Sequence, residues 1–117
     1  MIKISKLLIS LLFVIIIITP QKILAKQKLK IGLLIPLSED NKEIGQQIIK
    51  TVRMAINDIK SEDIEIIVKD TKSNPSNTLN SALEFQNENI RFVIGPVFHE
   101  NIQYLGKVEN LIFLSFT

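Results

Sequence analysis

Cysteine and tryptophan are absent from these 117 residues, and His99 is the only histidine. Without cysteine there are no disulfides, no thiol nucleophile and no zinc–thiolate site. The lipid-modified cysteine that tethers many exported bacterial proteins to a membrane is missing too. One histidine, with no carboxylates clustered at ligand spacing, makes no metal site. The sequence has no runs of Lys and Arg and no tryptophan to stack on bases, which argues against a nucleic-acid partner. A dinucleotide fingerprint is also lacking: Gly32 lies inside an apolar run and no G-x-G-x-x-G follows it. Ser115 and Thr117 are hydroxyls that could approach His99, but no nucleophile-elbow pattern surrounds them. Neither enzymatic chemistry nor a cofactor is expected.

What is present begins with a leader. Lys3 and Lys6 precede Leu7–Thr19, "LLISLLFVIIIIT", and Pro20 breaks the run before "ILA" ends at Ala25. A basic start, a short apolar core and a small final residue describe a secretory signal peptide over residues 1–25. Ile23, three residues from the end, is bulkier than the usual alanine there. The other reading is a membrane anchor, but a span needs roughly 20 apolar residues. Removing the leader changes the charge. The nominal net charge is +2, yet all 12 acids and eleven of the 14 bases lie beyond Ala25, leaving that part at −1. The expected product is soluble and periplasmic, touching the membrane only through an uncleaved leader.

Beyond the leader, four apolar runs stand out: Leu29–Ile35, Ile64–Val68, Phe92–Ile94 and Leu111–Leu114. Short β-branched runs without strict alternation suit strands buried on both faces of a parallel sheet. Between them Ile44, Ile48, Val52, Ala55, Ile56 and Ile59 recur at helical spacing, with Asp40 and Glu43 placed as a reciprocal cap. Leu79, Ala82, Leu83 and Gln86 fit a second helix, started by Pro75 and Ser76. A third, shorter helix is expected from about Glu100 to Lys107, with Ile102 and Leu105 inward. The order β-α-β-α-β-α-β implies right-handed crossovers and a parallel sheet. A sheet ending on "LIFLSFT" reads as a fragment. A minimal four-stranded domain is the alternative, with an exposed edge that invites aggregation.

Ligands of open parallel sheets bind outside the carboxyl ends of the strands. Those ends carry Ser38, Asp70, the stretch Gly95-Pro96-Val97-Phe98-His99, and Ser115 with Thr117. Ser38 could donate to a ligand or cap its own turn. Asp70 could accept a ligand ammonium, but fixing its own turn is the commoner use of such a residue. Gly95 allows a sharp bend or close approach to a ligand, and Pro96 holds the bend; the pair could equally just end the strand. His99 lines a pocket or stands solvated in the first turn of its helix.

Taken together these stretches resemble type I periplasmic binding proteins of the leucine/isoleucine/valine-binding group. The first carries Pro36, Leu37, Ser38, Gly45 and Ala55, and the second Asp70, Thr71, Pro75 and Ala82. "FVIGPVFHEN" is similar to the family's Val-Ile-Gly-Pro strand end, and "LIFLSFT" to the strand leading into a Ser/Thr loop. The resemblance implies an α/β fold. It would be a three-layer parallel-sheet lobe of the periplasmic-binding-protein-like type I fold, truncated after the fourth strand and spanning residues 26–117. It implies a small solute, amino-acid-like, held by Ser38, Gly95, Pro96, Val97, Phe98, His99, Ser115 and Thr117. The implied partner is the membrane permease of an ABC transporter. Gly-Pro followed by two apolar residues, Val97 and Phe98, is more like the related domain of penicillin-binding-protein activators. That resemblance implies the alternative of an interaction domain regulating cell-wall synthesis.

Overall fold

The computed structural model describes residues 3–6, 8, 9 and 25–116. Most of the expected leader, and Thr117, lie outside them. Among the described residues no helix is long and apolar enough to cross a membrane.

Four strands form one parallel sheet: β1 (Leu29–Ile35), β2 (Ile64–Asp70), β3 (Phe92–Ile94) and β4 (Ile112–Leu114), in the order β2-β1-β3-β4. All pairings are parallel, with Ile35 opposite Asp70, Ile31 opposite Phe92 and Phe92 opposite Ile112. Helix α1 (Lys42–Ile59) links β1 to β2, and α2 (Pro75–Asn87) links β2 to β3. The first crossover runs outward from β1 and the second runs back across it. Right-handed connections in opposite directions place the two helices on opposite faces, which gives the three layers. The strand carboxyl ends therefore share one edge, as the sequence order requires.

The core lies between the sheet and α2. Leu34 and Val93 meet Ala82, Phe85 and Ile90 there, with Leu105 closing the side and Ile67, Val108, Leu111 and Phe113 packed around them. Phe85 is fully buried, and a Cβ on Gly32 would come within 2.8 Å of its ring. Gly32 is thus a strand glycine that lets an aromatic ring sit on the sheet. Lys69 near the end of β2 reaches Glu84 on α2 (2.7 Å) and Glu88 at its C-cap (2.8 Å), with its ammonium over the Phe85 ring. The hydrogen bonds to Glu84 and then Glu88 raise its pKa against the opposing effect of burial.

The other face is less complete. Leu33 and Ile35 are buried on it, while Phe92, Ile112 and Leu114 stay 46%, 56% and 69% exposed. The predicted stripe of α1 is half-buried only at Ile48, Val52 and Ile56, and its end residues Ile44 and Ile59 face solvent. The helix lies tight against the chain at Gly45, where a Cβ would stand 1.7 Å from the Pro36 carbonyl oxygen.

Two sequence expectations need correction. The expected cap by Asp40 and Glu43 is not made. Glu39 takes a positive φ of 62° and Glu39–Asn41 form a 3-10 turn, so the cap position passes to Asn41, whose side chain bonds no helix amide. The third helix is replaced by two single 3-10 turns, His99–Ile102 and Leu105–Lys107. Asn101 and Leu105 are the buried residues there, and Ile102 is only half-buried. Gly106 lowers helix propensity in so short a segment.

Candidate ligand-binding edge

The loops after β1, β2, β3 and β4 meet along the carboxyl edge of the sheet, and backbone bonds tie them together. The Thr71 amide donates to the Ile35 carbonyl (3.0 Å), and the Gly95 amide to the Leu114 carbonyl (2.8 Å). The Asn41 side chain donates to Ser73 Oγ (2.9 Å), joining the first loop to the second. Asn74 caps α2: its side-chain oxygen accepts from the amides of Ser76 (2.9 Å) and Asn77 (3.2 Å), and Pro75 opens the helix.

Asp70 is committed to the loops. Its Oδ1 accepts from the amides of Leu37 (2.8 Å) and Lys72 (2.8 Å), an Asx turn that also clamps the neighbouring loop. Burial pushes its pKa up, but the Leu37 amide, the Ser38 hydroxyl, the Lys72 amide and the Lys72 charge together hold it below the ordinary carboxylate value. Of the two roles open to it, turn fixing is the one its bonds serve.

Ser38 sits beside this carboxylate. Its hydroxyl oxygen is buried without a partner of hydrogen-bonding geometry, though near enough to favour the charged Asp70. No donor reaches the lone pairs of this hydroxyl, which leaves acceptor capacity at the edge.

Gly95 has φ of +108°, and a Cβ there would lie 2.2 Å from the Leu34 carbonyl oxygen. Both the backbone conformation and the close approach to β1 require glycine. The peptide to Pro96 is cis. Pro96 is fully buried, Val97 and Phe98 are half-buried, and His99 is exposed at the start of its 3-10 turn. Ser115, half-buried, donates from Oγ to the Pro96 carbonyl (3.3 Å). Seven of the eight sequence-predicted residues thus lie on one edge, from Ser38 across Gly95–His99 to Ser115; Thr117 is outside the described residues. Phe116 follows them, 54% exposed.

Asn101 was not marked by the sequence. It is 1% exposed, with neither amide atom bonded. Nothing in its neighbourhood distinguishes it from an ordinary surface Asn of a polar turn, so no sequence signal would have found it. Among the described residues no group of His, Asp and Glu could hold a metal ion.

No family model matches this chain, and no curated protein matches it. Solved structures do. A leucine binding protein, LivK, from Thermotoga maritima superposes with a TM-score of 0.68 at 19% identity, over 74% of this chain and 27% of that one. A solute binding protein of an ABC transporter from Rhodopseudomonas palustris, in complex with 3,4-dihydroxybenzoic acid, gives 0.69 at 21% identity, over 75% and 26%. The C-domain of LpoA from Haemophilus influenzae, a regulator of PBP1A, gives 0.55 at 25% identity, over 74% and 27%. The described residues therefore have the fold of a type I periplasmic-binding-protein lobe, and the chain spans about a quarter of the length of these structures.

Proposed function

We propose that this chain is part of an exported solute-binding protein that captures an amino acid or similar small solute in the periplasm for the permease of an ABC transporter. The observation that carries the reading is the meeting of the four strand-end loops along one edge, with the Ser38 hydroxyl buried there beside Asp70 and not fully bonded. Ser38 and Ser115 supply hydroxyls, Gly95 and Pro96 shape the floor, and Val97, Phe98 and His99 form the rim, with Thr117 at the chain's final position. Asp70 is left out of the ligand set, because its carboxylate already accepts two amides. Binding by such a set needs no chemistry on the solute. The fold shared with solute-binding proteins supports the reading.

Amide chemical shifts of the chain titrated with leucine, small amides and aromatic acids test it. Shifts confined to residues 37–39, 95, 97–99 and 115–116, weakened by Ser38→Ala, are expected. Unmoved amides along that edge with every solute would sink the reading.

A second reading rests on the rim itself. Val97 and Phe98 form a half-buried apolar pair, and the identity to the LpoA C-domain exceeds that to the two solute-binding proteins above. On this reading the edge meets a cell-wall synthase rather than a solute. Capture of purified peptidoglycan synthases, abolished by Phe98→Ala, with no solute response, would decide for it.

A further inference from the structure

Residues 97–104 run between two firm anchors. At one end Pro96 is fully buried and its carbonyl accepts from Ser115 Oγ (3.3 Å); at the other Leu105 packs beside Ala82 and Phe85 in the core. Between the anchors Asn101 is the one buried residue. It is 1% exposed, and neither its Oδ1 nor its Nδ2 is bonded. We infer that Asn101 is a positioning residue for the solute: it pegs residues 97–104 into the interior loosely, so that this rim can settle onto what the edge holds. The inference rests on the solute-binding reading above.

The bonds of the segment support a loose peg. They are local: the Asn101 amide donates to the Phe98 carbonyl (3.1 Å), and the Tyr104 carbonyl accepts from the Lys107 amide (3.1 Å). Among the described residues none from 97 to 104 forms a hydrogen bond or an ion pair with another strand or helix. The loops after β1 and β2 differ, because the Leu37 amide is tied to Asp70 and the Thr71 amide to Ile35. A segment with few bonds and little buried apolar surface opens at low cost.

An ordinary turn role does not account for Asn101. Asparagine in a turn commonly bonds its side chain to nearby backbone, and this one does not. An apolar residue at the same place would bury without the penalty of an unbonded amide. Thr78 shows the usual solution: it is equally buried, and its hydroxyl donates to the Asn74 carbonyl (2.8 Å). An interior amide with nothing to bond favours a second arrangement of the segment in which it is bonded. Val97, Phe98 and His99 belong to that segment, so the shift moves the rim itself, and a solute held there selects the shifted arrangement.

The test uses the full chain with leucine, acetamide and benzoate, read by amide shifts and urea melts. Asn101→Leu is expected to raise the urea midpoint, because the unbonded amide is gone. It is expected to weaken the solute that moves the parent's edge amides at least about fivefold, because the peg is then firm. A merely structural residue would move stability and affinity in the same direction. Thr78→Val, which removes a bonded hydroxyl, is expected to lower the midpoint and leave the affinity unchanged. Hydrogen exchange of amides 97–104 in the parent is expected to slow when that solute is added. A lower midpoint for Asn101→Leu would show the amide bonded in solution and overturn the inference. A raised midpoint with unchanged affinity would overturn it too, as would exchange in the parent that ignores a solute moving the edge amides. If none of the three solutes moves those amides in the parent, the solute-binding reading itself fails and the inference falls with it.

Discussion

Asp70 shows how one side chain sets both a turn and a pH dependence. Its carboxylate accepts from the Leu37 and Lys72 amides, and its folded pKa lies below the ordinary 3.8. A depressed carboxyl pKa stabilises the fold above the unfolded value, and this contribution is lost as pH falls through the folded one. Asp70→Asn should therefore cost about 1–3 kcal/mol at neutral pH and flatten the acid side of the stability curve. Urea midpoints measured from neutral pH to below 3.8 check this, and identical pH slopes for parent and variant would disprove it. Gly95 makes a different point at the same scale. Sequence identified it as the place of a bend, but that the strand beside it leaves no room for a Cβ is visible only in three dimensions.

Among the elements, the two helices contrast in how they start. Helix α2 is capped by Asn74, whose side chain takes two amides, and it carries Ala82 and Phe85 into the core. Helix α1 begins after a 3-10 turn with an uncapped Asn41, whose side chain ties Ser73 instead. Asn74→Ala should thus destabilise the fold by about 1 kcal/mol, with Asn74→Asp close to the parent. Asn41→Ala should leave helix content unchanged and act only through the link between loops. Circular dichroism with chemical melts separates the two; equal effects would contradict the assigned roles. The four strands and both long helices were legible from apolar runs and helical spacing, because those periodicities follow from backbone geometry. The segment after β3 was not. Its apolar residues permit a helix, Gly106 weakens one, and the packing of Leu105 beside Ala82 and Phe85 of α2 accompanies two tight turns instead.

For the whole molecule, the two faces of the sheet differ in cover. The α2 face holds a closed core, whereas Phe92, Ile112 and Leu114 are open on the other, next to the free edge of β4. Exposed apolar strands at a free edge favour pairing with a second chain. Leu114→Lys should raise the monomer fraction seen by light scattering and sedimentation while changing stability by no more than about 0.5 kcal/mol, as for other exposed positions. An unchanged association state would show that this edge is not the contact.

The sequence by itself determined the alternation of strands and helices, and therefore a parallel sheet with its strand ends, Ser38, Gly95–His99 and Ser115 among them, on one edge. Those features depend on local periodicity and on the handedness of connections, which any chain of this pattern obeys. Only the tertiary structure decided which apolar faces are covered and that Asp70 is spent on two amides. Burial and partner choice depend on residues distant in sequence being brought together, and no local pattern records that.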